Sequence, residues 1–173
     1  FAKEVLEVGA DKIGMLLGAS GGGAILGTVT IANLRGHHPK GLMILGAAIV
    51  YGTALLLFAA ATAQGWYWPS MGILFIVGMA NSTYLVGGMG TIQHLVPDRL
   101  RGRVMGVFAI TWSLGPFGMV QGGFIAQYYG APVAVAVGGG IIVIVAIFIL
   151  LRSSNMRTMR AEMPEDFQAA YAE

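Results

Sequence analysis

Cysteine is absent from the 173 residues, which excludes disulfides, thiolate metal ligands and cysteine nucleophiles. Charge is nearly as scarce. Asp, Glu, Lys and Arg make up 10% of the chain, against about 25% in a soluble domain that covers its surface with polar groups. What stands in place of charge is apolar: 56% of residues are hydrophobic, and mean hydropathy is +0.74. Ten Lys and Arg against eight Asp and Glu give a formal net charge of +2. A nucleic-acid partner would need those basic residues on one folded stripe. They instead punctuate long apolar stretches, and no nucleic-acid partner is expected.

The gaps between charges set the architecture. Lys12 and Arg35 enclose 22 uncharged residues, Lys40 and Asp98 enclose 57, and Arg103 and Arg152 enclose 48. A helix needs roughly 20 apolar residues to cross a ~30 Å hydrocarbon core. The first gap therefore holds one span and each longer gap holds two. Clusters of aromatic and turn residues divide the long gaps, "QGWYWPS" at 64–70 and "QYYGAP" at 127–132. Amphipathic rings favour the headgroup level. The expected fold is an all-α polytopic transmembrane bundle in the lipid bilayer, with spans near 13–34, 42–63, 70–92, 104–126 and 132–151.

Five spans put every basic loop on one side. Arg35, His37, His38 and Lys40 lie in one loop, and Arg99, Arg101 and Arg103 in another; Arg152, Arg157 and Arg160 follow the last span. The turns at 64–70 and 127–132 carry no charge. The positive-inside rule assigns the basic side to the cytoplasm. Residues 1–12 are then expected outside and the tail 152–173 in the cytoplasm, in a multi-pass protein of the plasma (inner) membrane. Phe1 is not a start methionine, and no signal segment precedes the first span. An outer N-terminus of that kind is expected of a piece whose preceding helix is missing.

Gly14, Gly18 and Gly22 sit four apart, Gly23 and Gly27 repeat the spacing on an adjacent stripe, and Gly118 and Gly122 do so in the fourth span. Small faces let helix backbones approach in lipid, so helix packing is the expected role. "GASG" at 18–21 resembles the G-x-S-G serine of intramembrane rhomboid proteases. That chemistry needs a histidine within reach of Ser20, and His37, His38 and His94 all fall at the opposite ends of spans. A phosphate loop fails as well, since no "GK[ST]" follows. No catalytic residue, metal site or cofactor is expected.

No Asp, Glu, Lys or Arg falls at the depth of any span, so these spans cannot carry a carboxylate proton relay. Uncharged polar residues do fall there. Asn81, Ser82, Thr83 and Tyr84 cluster midway along the third span, and Thr111, Trp112, Ser113 and Gln121 mark the fourth. Facing a cavity, Asn81, Tyr84, Trp112 and Gln121 contact an organic substrate by hydrogen bonds and stacking. Facing a neighbouring helix, they are interhelical contacts of about 0.6–2 kcal/mol each. Pro116, inside "LGPFGMVQGG", removes a backbone hydrogen bond and predicts a kink.

The loop "LVPDRLRGRVMGV" at 95–107 is the most specific string. Asp98 sits where an acid caps a helix, followed by Arg99, Arg101 and Arg103. Such a loop either latches one conformation through a neighbour's carboxylates or helix C-termini, or anchors lipid headgroups and fixes topology. "VPDRLRGRVMG" resembles the loop between the tenth and eleventh helices of major facilitator superfamily transporters, in the branch of enterobactin-exporter-like and macrolide-efflux-like permeases. "FAKEVLEVGADKIGMLLGASGGGAILG" resembles that branch's seventh-to-eighth helix link, and "NLRGHHPKG" its basic eighth-to-ninth loop. The resemblance extends to about residue 151.

The resemblance implies that the five spans are helices eight to twelve of a twelve-helix transporter, the C-terminal half lacking its first helix. Asn81 and Tyr84 would border the cavity, and Asp98, Arg101, Gly102 and Arg103 would form a conformational loop motif. The partners implied are the missing N-terminal half and a small-molecule substrate of drug or siderophore type, exported by alternating access. The Gly-Pro run departs from the efflux pattern, with Gly122 and Gly123 farther from Pro116. The alternative function is a small structural membrane subunit, or a self-assembling half-transporter without transport activity of its own.

Overall fold

A computed structural model describes residues 10–33, 40–96, 98–113 and 115–152. For Lys40, residues 93–95, Asp98, Arg101, Thr111 and Trp112 only the backbone is described. The basic loop holding His37 and His38, and the tail after Arg152, lie outside the described residues.

The described residues are almost entirely helical: α1 Ala10–Asn33, α2 Lys40–Ala63, α3 Tyr67–Leu95, α4 Asp98–Ser113, α5 Gly115–Tyr129 and α6 Ala131–Arg152. Five stretches are long and apolar enough to cross a bilayer: Asp11–Asn33, Gly41–Ala63, Tyr67–Ile92, Gly102–Tyr129 and Ala131–Arg152. In hydrocarbon a helix satisfies its own backbone polar groups, so this composition has no cheaper option. The hydroxyls are satisfied the same way. Thr28, Thr30, Thr53, Thr62, Thr83, Thr91 and Ser113 each donate to the carbonyl four residues back.

Both turns on the uncharged side end in a left-handed glycine. After α2, Gly65 has φ +71°, its N–H bonds to the Thr62 carbonyl, and Trp66 N–H reaches the Ala61 carbonyl. That pair of bonds is the Schellman arrangement. After α5, Gly130 has φ +88° and its N–H bonds to the Ala126 carbonyl at 3.0 Å. A side chain at such a φ costs roughly 1–2 kcal/mol. Gly130→Ala is therefore expected to lower thermal stability by a few degrees, read by heating followed by size-exclusion chromatography. A midpoint equal to wild type would show that the turn relaxes to another geometry.

Packing order differs from chain order. Helices α1 and α3 run parallel and side by side, from Tyr67 beside Lys12 to Gly87 beside Ile31. Helix α3 also packs on α2, α2 on α6, and α6 on α5. Seven of the eleven buried hydrophobic residues are alanines (Ala47, Ala48, Ala54, Ala59, Ala61, Ala80 and Ala146), so close backbone approach, not large side chains, makes the contacts. A Cβ on Gly23 would collide with the Phe75 carbonyl, one on Gly27 with that of Met79, and one on Gly78 with that of Ser20. At the α2–α6 crossing a Cβ on Gly52 would lie 2.9 Å from the Gly139 carbonyl, and one on Gly139 2.9 Å from that of Gly52.

Only part of the expected glycine packing is found. Gly23 and Gly27 are the seam on α1, and Gly22 meets the Phe75 ring edge at 3.7 Å. Gly14, Gly18, Gly118 and Gly122 have nothing within 4 Å, because α3 crosses the other stripe of α1 and α6 does not cover that side of α5. The predicted span 104–126 falls within the apolar stretch Gly102–Tyr129, described as α4 and α5 on either side of residue 114, which lies outside the described residues. Pro116 is the second residue of α5, and α4 ends at Ser113. No residue of α5 is buried, and Phe117, Met119, Val120 and Phe124 stand exposed, Met119 at 79%.

Candidate functional site

Helix α3 is 29 residues long, and Asn81 is its fifteenth residue, at the middle of the span. The α1 side of this helix is marked by Phe75, Gly78 and Met79, whose backbone or ring abuts Gly22, Gly23, Gly27 and Ser20. Tyr84 is 44% exposed, while Asn81 and Ser82 are half-buried. The Thr83 hydroxyl is committed to the Met79 carbonyl at 2.8 Å. The Asn81 amide and Tyr84 hydroxyl have no hydrogen-bond partner among the described residues, and neither is sealed from its surroundings. An unpaired amide facing hydrocarbon at mid-depth is costly. Its position favours a wet cavity or a partner outside the described residues.

The other cavity candidates are not gathered around them. Gln121 is exposed on α5, a helix whose contacts run to α6 and α4. The Trp112 side chain lies outside the described residues. Pro116 is exposed in the first turn of α5.

Of the loop motif, Asp98 opens α4, and the side chains of Asp98 and Arg101 are outside the description. Gly102 is open, with nothing within 4 Å of a Cβ there. Arg103 is exposed and lines an open groove of about 390 Å³ with Ile92, Val104, Val107 and Phe108. Arg99 stands exposed one turn earlier. Arg99 and Arg103 form no ion pair with the described residues.

Ser20 lies in the α1–α3 seam, its carbonyl against Gly78. His94 is 16 residues farther along α3, roughly 24 Å at 1.5 Å per residue. The two cannot exchange a proton, and of "GASG" only the Ser20 carbonyl abuts a neighbouring helix among the described residues. Among the described residues no group of three or more His, Asp or Glu is placed to hold a metal.

Sequence reasoning missed a clamp at the end of the bundle that holds the uncharged turns. The Tyr67 hydroxyl donates to the Lys12 carbonyl at 3.0 Å, and the Lys12 ammonium lies 5.4 Å from the Tyr67 ring centroid. The aromatic cluster at 64–70 placed Tyr67 at the interface, but no sequence signal paired it with Lys12. Nearby, Thr62 and Ser70 are buried at 1% and 0% exposure, each hydroxyl bonded within its own turn.

Residues 1–167 match the Major Facilitator Superfamily. The chain belongs to that superfamily. It is 27% identical, over 96% of its length, to a "Na(+), Li(+), K(+)/H(+) antiporter" of Planococcus maritimus. It spans 39% of that protein's length, about two-fifths. No solved structure matches it.

Proposed function

We propose that this chain is the C-terminal part of a longer exporter of small organic molecules, of drug or siderophore type, working by alternating access. Its five spans are helices eight to twelve, the N-terminus of the segment faces outward, and the tail lies in the cytoplasm of a cell with this protein in its plasma membrane. The substrate sits near mid-membrane between this part and the N-terminal half. The observation that carries the reading is the unpaired Asn81 amide one turn from the exposed Tyr84, at the centre of a span with no formal charge. An amide and a phenol recognise an organic molecule by hydrogen bonds and ring contact.

The antiporter relative favours a second reading, exchange of monovalent cations for protons. In that reading the titrating carboxylates come from the part of the transporter outside this chain, since none lies at span depth here. The full-length transporter in proteoliposomes separates the two. Uptake of a fluorescent organic cation against a proton gradient supports the first reading. Collapse of that gradient by Na⁺ or K⁺, with no organic transport, supports the second.

Asn81→Ala is expected to alter the inhibition profile across a substrate panel while leaving expression unchanged. One lost hydrogen bond of about 0.5–1.5 kcal/mol is a roughly 2- to 10-fold loss for substrates that use the amide. An identical profile would remove Asn81 from the cavity.

A further inference from the structure

The groove beside Arg103 joins two unlike surfaces. Ile92 of α3 and Val104, Val107 and Phe108 of α4 form apolar walls, and Arg103 is the charged group at its rim. Arg99 stands one helical turn away on the same helix, and like charges at that spacing repel. With Arg103 one turn farther in, Arg99 also lies in the first turn of α4. The positive end of a helix dipole is there, so cations are at the unfavourable terminus. Arg152 differs, because it closes the last turn of α6, where the dipole favours a cation. Repulsion along α4, the dipole and the lack of an ion-pair partner among the described residues together favour an anion at Arg103. The apolar walls beside it favour a hydrocarbon chain.

We propose that the groove between the end of α3 and the start of α4 binds an anionic phospholipid from the leaflet on the basic side of the protein. The headgroup phosphate lies against Arg103, with Arg99 adding to the field. One acyl chain lies along Ile92, Val104, Val107 and Phe108. This site is separate from any substrate cavity at Asn81, and the proposal stands whichever cargo the transporter carries.

The test uses the full-length transporter, purified and delipidated, with retained lipid counted by native mass spectrometry. Phosphatidylglycerol and phosphatidylcholine of matched chains are titrated separately, each with and without millimolar inorganic phosphate. The wild type is expected to retain phosphatidylglycerol at least fivefold more tightly than phosphatidylcholine, at about fivefold per surface arginine. Arg103→Gln is expected to narrow that ratio about fivefold, and Arg103→Lys to keep most of it. Val104→Trp, which fills the apolar wall and leaves the charge, is expected to weaken retention of both lipids. An unchanged ratio in Arg103→Gln, or unchanged retention in Val104→Trp, would overturn the proposal. Displacement of phosphatidylglycerol by inorganic phosphate alone would overturn it too, since the site would then take a small anion.

Discussion

Gly23→Leu in the full-length transporter is expected to remove much of the folded protein from the membrane extract and to lower the thermal midpoint of the remainder. A Cβ at Gly23 meets the carbonyl carbon and oxygen of Phe75. Those atoms are backbone and cannot swing aside as a side chain does. Relief requires α1 to back away from α3, and the seam loosens along its length, from Ser20 against Gly78 to Gly27 against Met79. In lipid that contact is largely dispersion, which falls off within an ångström of added separation. Overpacking of this kind costs about 1–3 kcal/mol, or roughly 2–12 °C at 2–4 °C per kcal/mol. The upper part of that range is expected, because the obstruction is main chain. Gly14→Leu on the same helix meets nothing within 4 Å among the described residues, and is the matched control for the cost of a leucine in α1. If Gly23→Leu melts with wild type, the α1–α3 seam is not the contact that holds these helices. If Gly14→Leu is damaging as well, its stripe packs against the part of the transporter outside this chain.

These two glycines also mark where sequence reasoning stops. Charge gaps locate spans because hydrocarbon excludes charge along the whole helix length, and that penalty is written residue by residue. The uncharged turns are legible for a similar local reason: Gly65 and Gly130 supply the positive φ that ends α2 and α5. A glycine stripe says only that some backbone approaches. Gly23 and Gly27 meet the Phe75 and Met79 carbonyls of α3, and Gly78 meets that of Ser20; Gly78 has no four-residue glycine partner to reveal that contact in the sequence. Packing order is hidden for the same reason. Helix α3 lies against both α1 and α2, and nothing in 34–39 announces that chain neighbours will pack less closely.

The candidate site divides along the same line. The mid-depth position of Asn81 follows from counting residues, and its lack of an internal partner is compatible with the cavity reading. Whether Gln121 joins it depends on what covers α5, and α5 has no buried residue among those described. The kink expected at Pro116 falls beside residue 114, which lies outside the described residues. The Lys12–Tyr67 clamp was not readable, since 55 residues separate its members.

On the export reading proposed above, Arg101→Ala and Arg103→Ala are each expected to lower export by the full-length protein severalfold, and together by at least tenfold, with membrane insertion unchanged. Among the described residues α4 shares a groove with Ile92 of α3. On the alternating-access reading proposed above, α4 moves relative to the other half. The basic residues at its start face solvent, as Arg99 and Arg103 show, so their binding energy is spent on something that changes between states. A carboxylate or a helix C-terminus on the other half would be such a partner. A coupling of 1–3 kcal/mol shifts a two-state equilibrium 5- to 150-fold, enough to strand the transporter on one side. Arg103→Lys keeps the charge and is expected to retain most activity, whereas higher salt should slow the wild type by screening exposed charge. Initial rates in proteoliposomes at two ionic strengths, normalised to protein inserted, decide the matter. Unchanged rates in both alanine variants would eliminate the latch. A loss restored by phosphatidylglycerol would instead assign the effect to the lipid held in the α3–α4 groove.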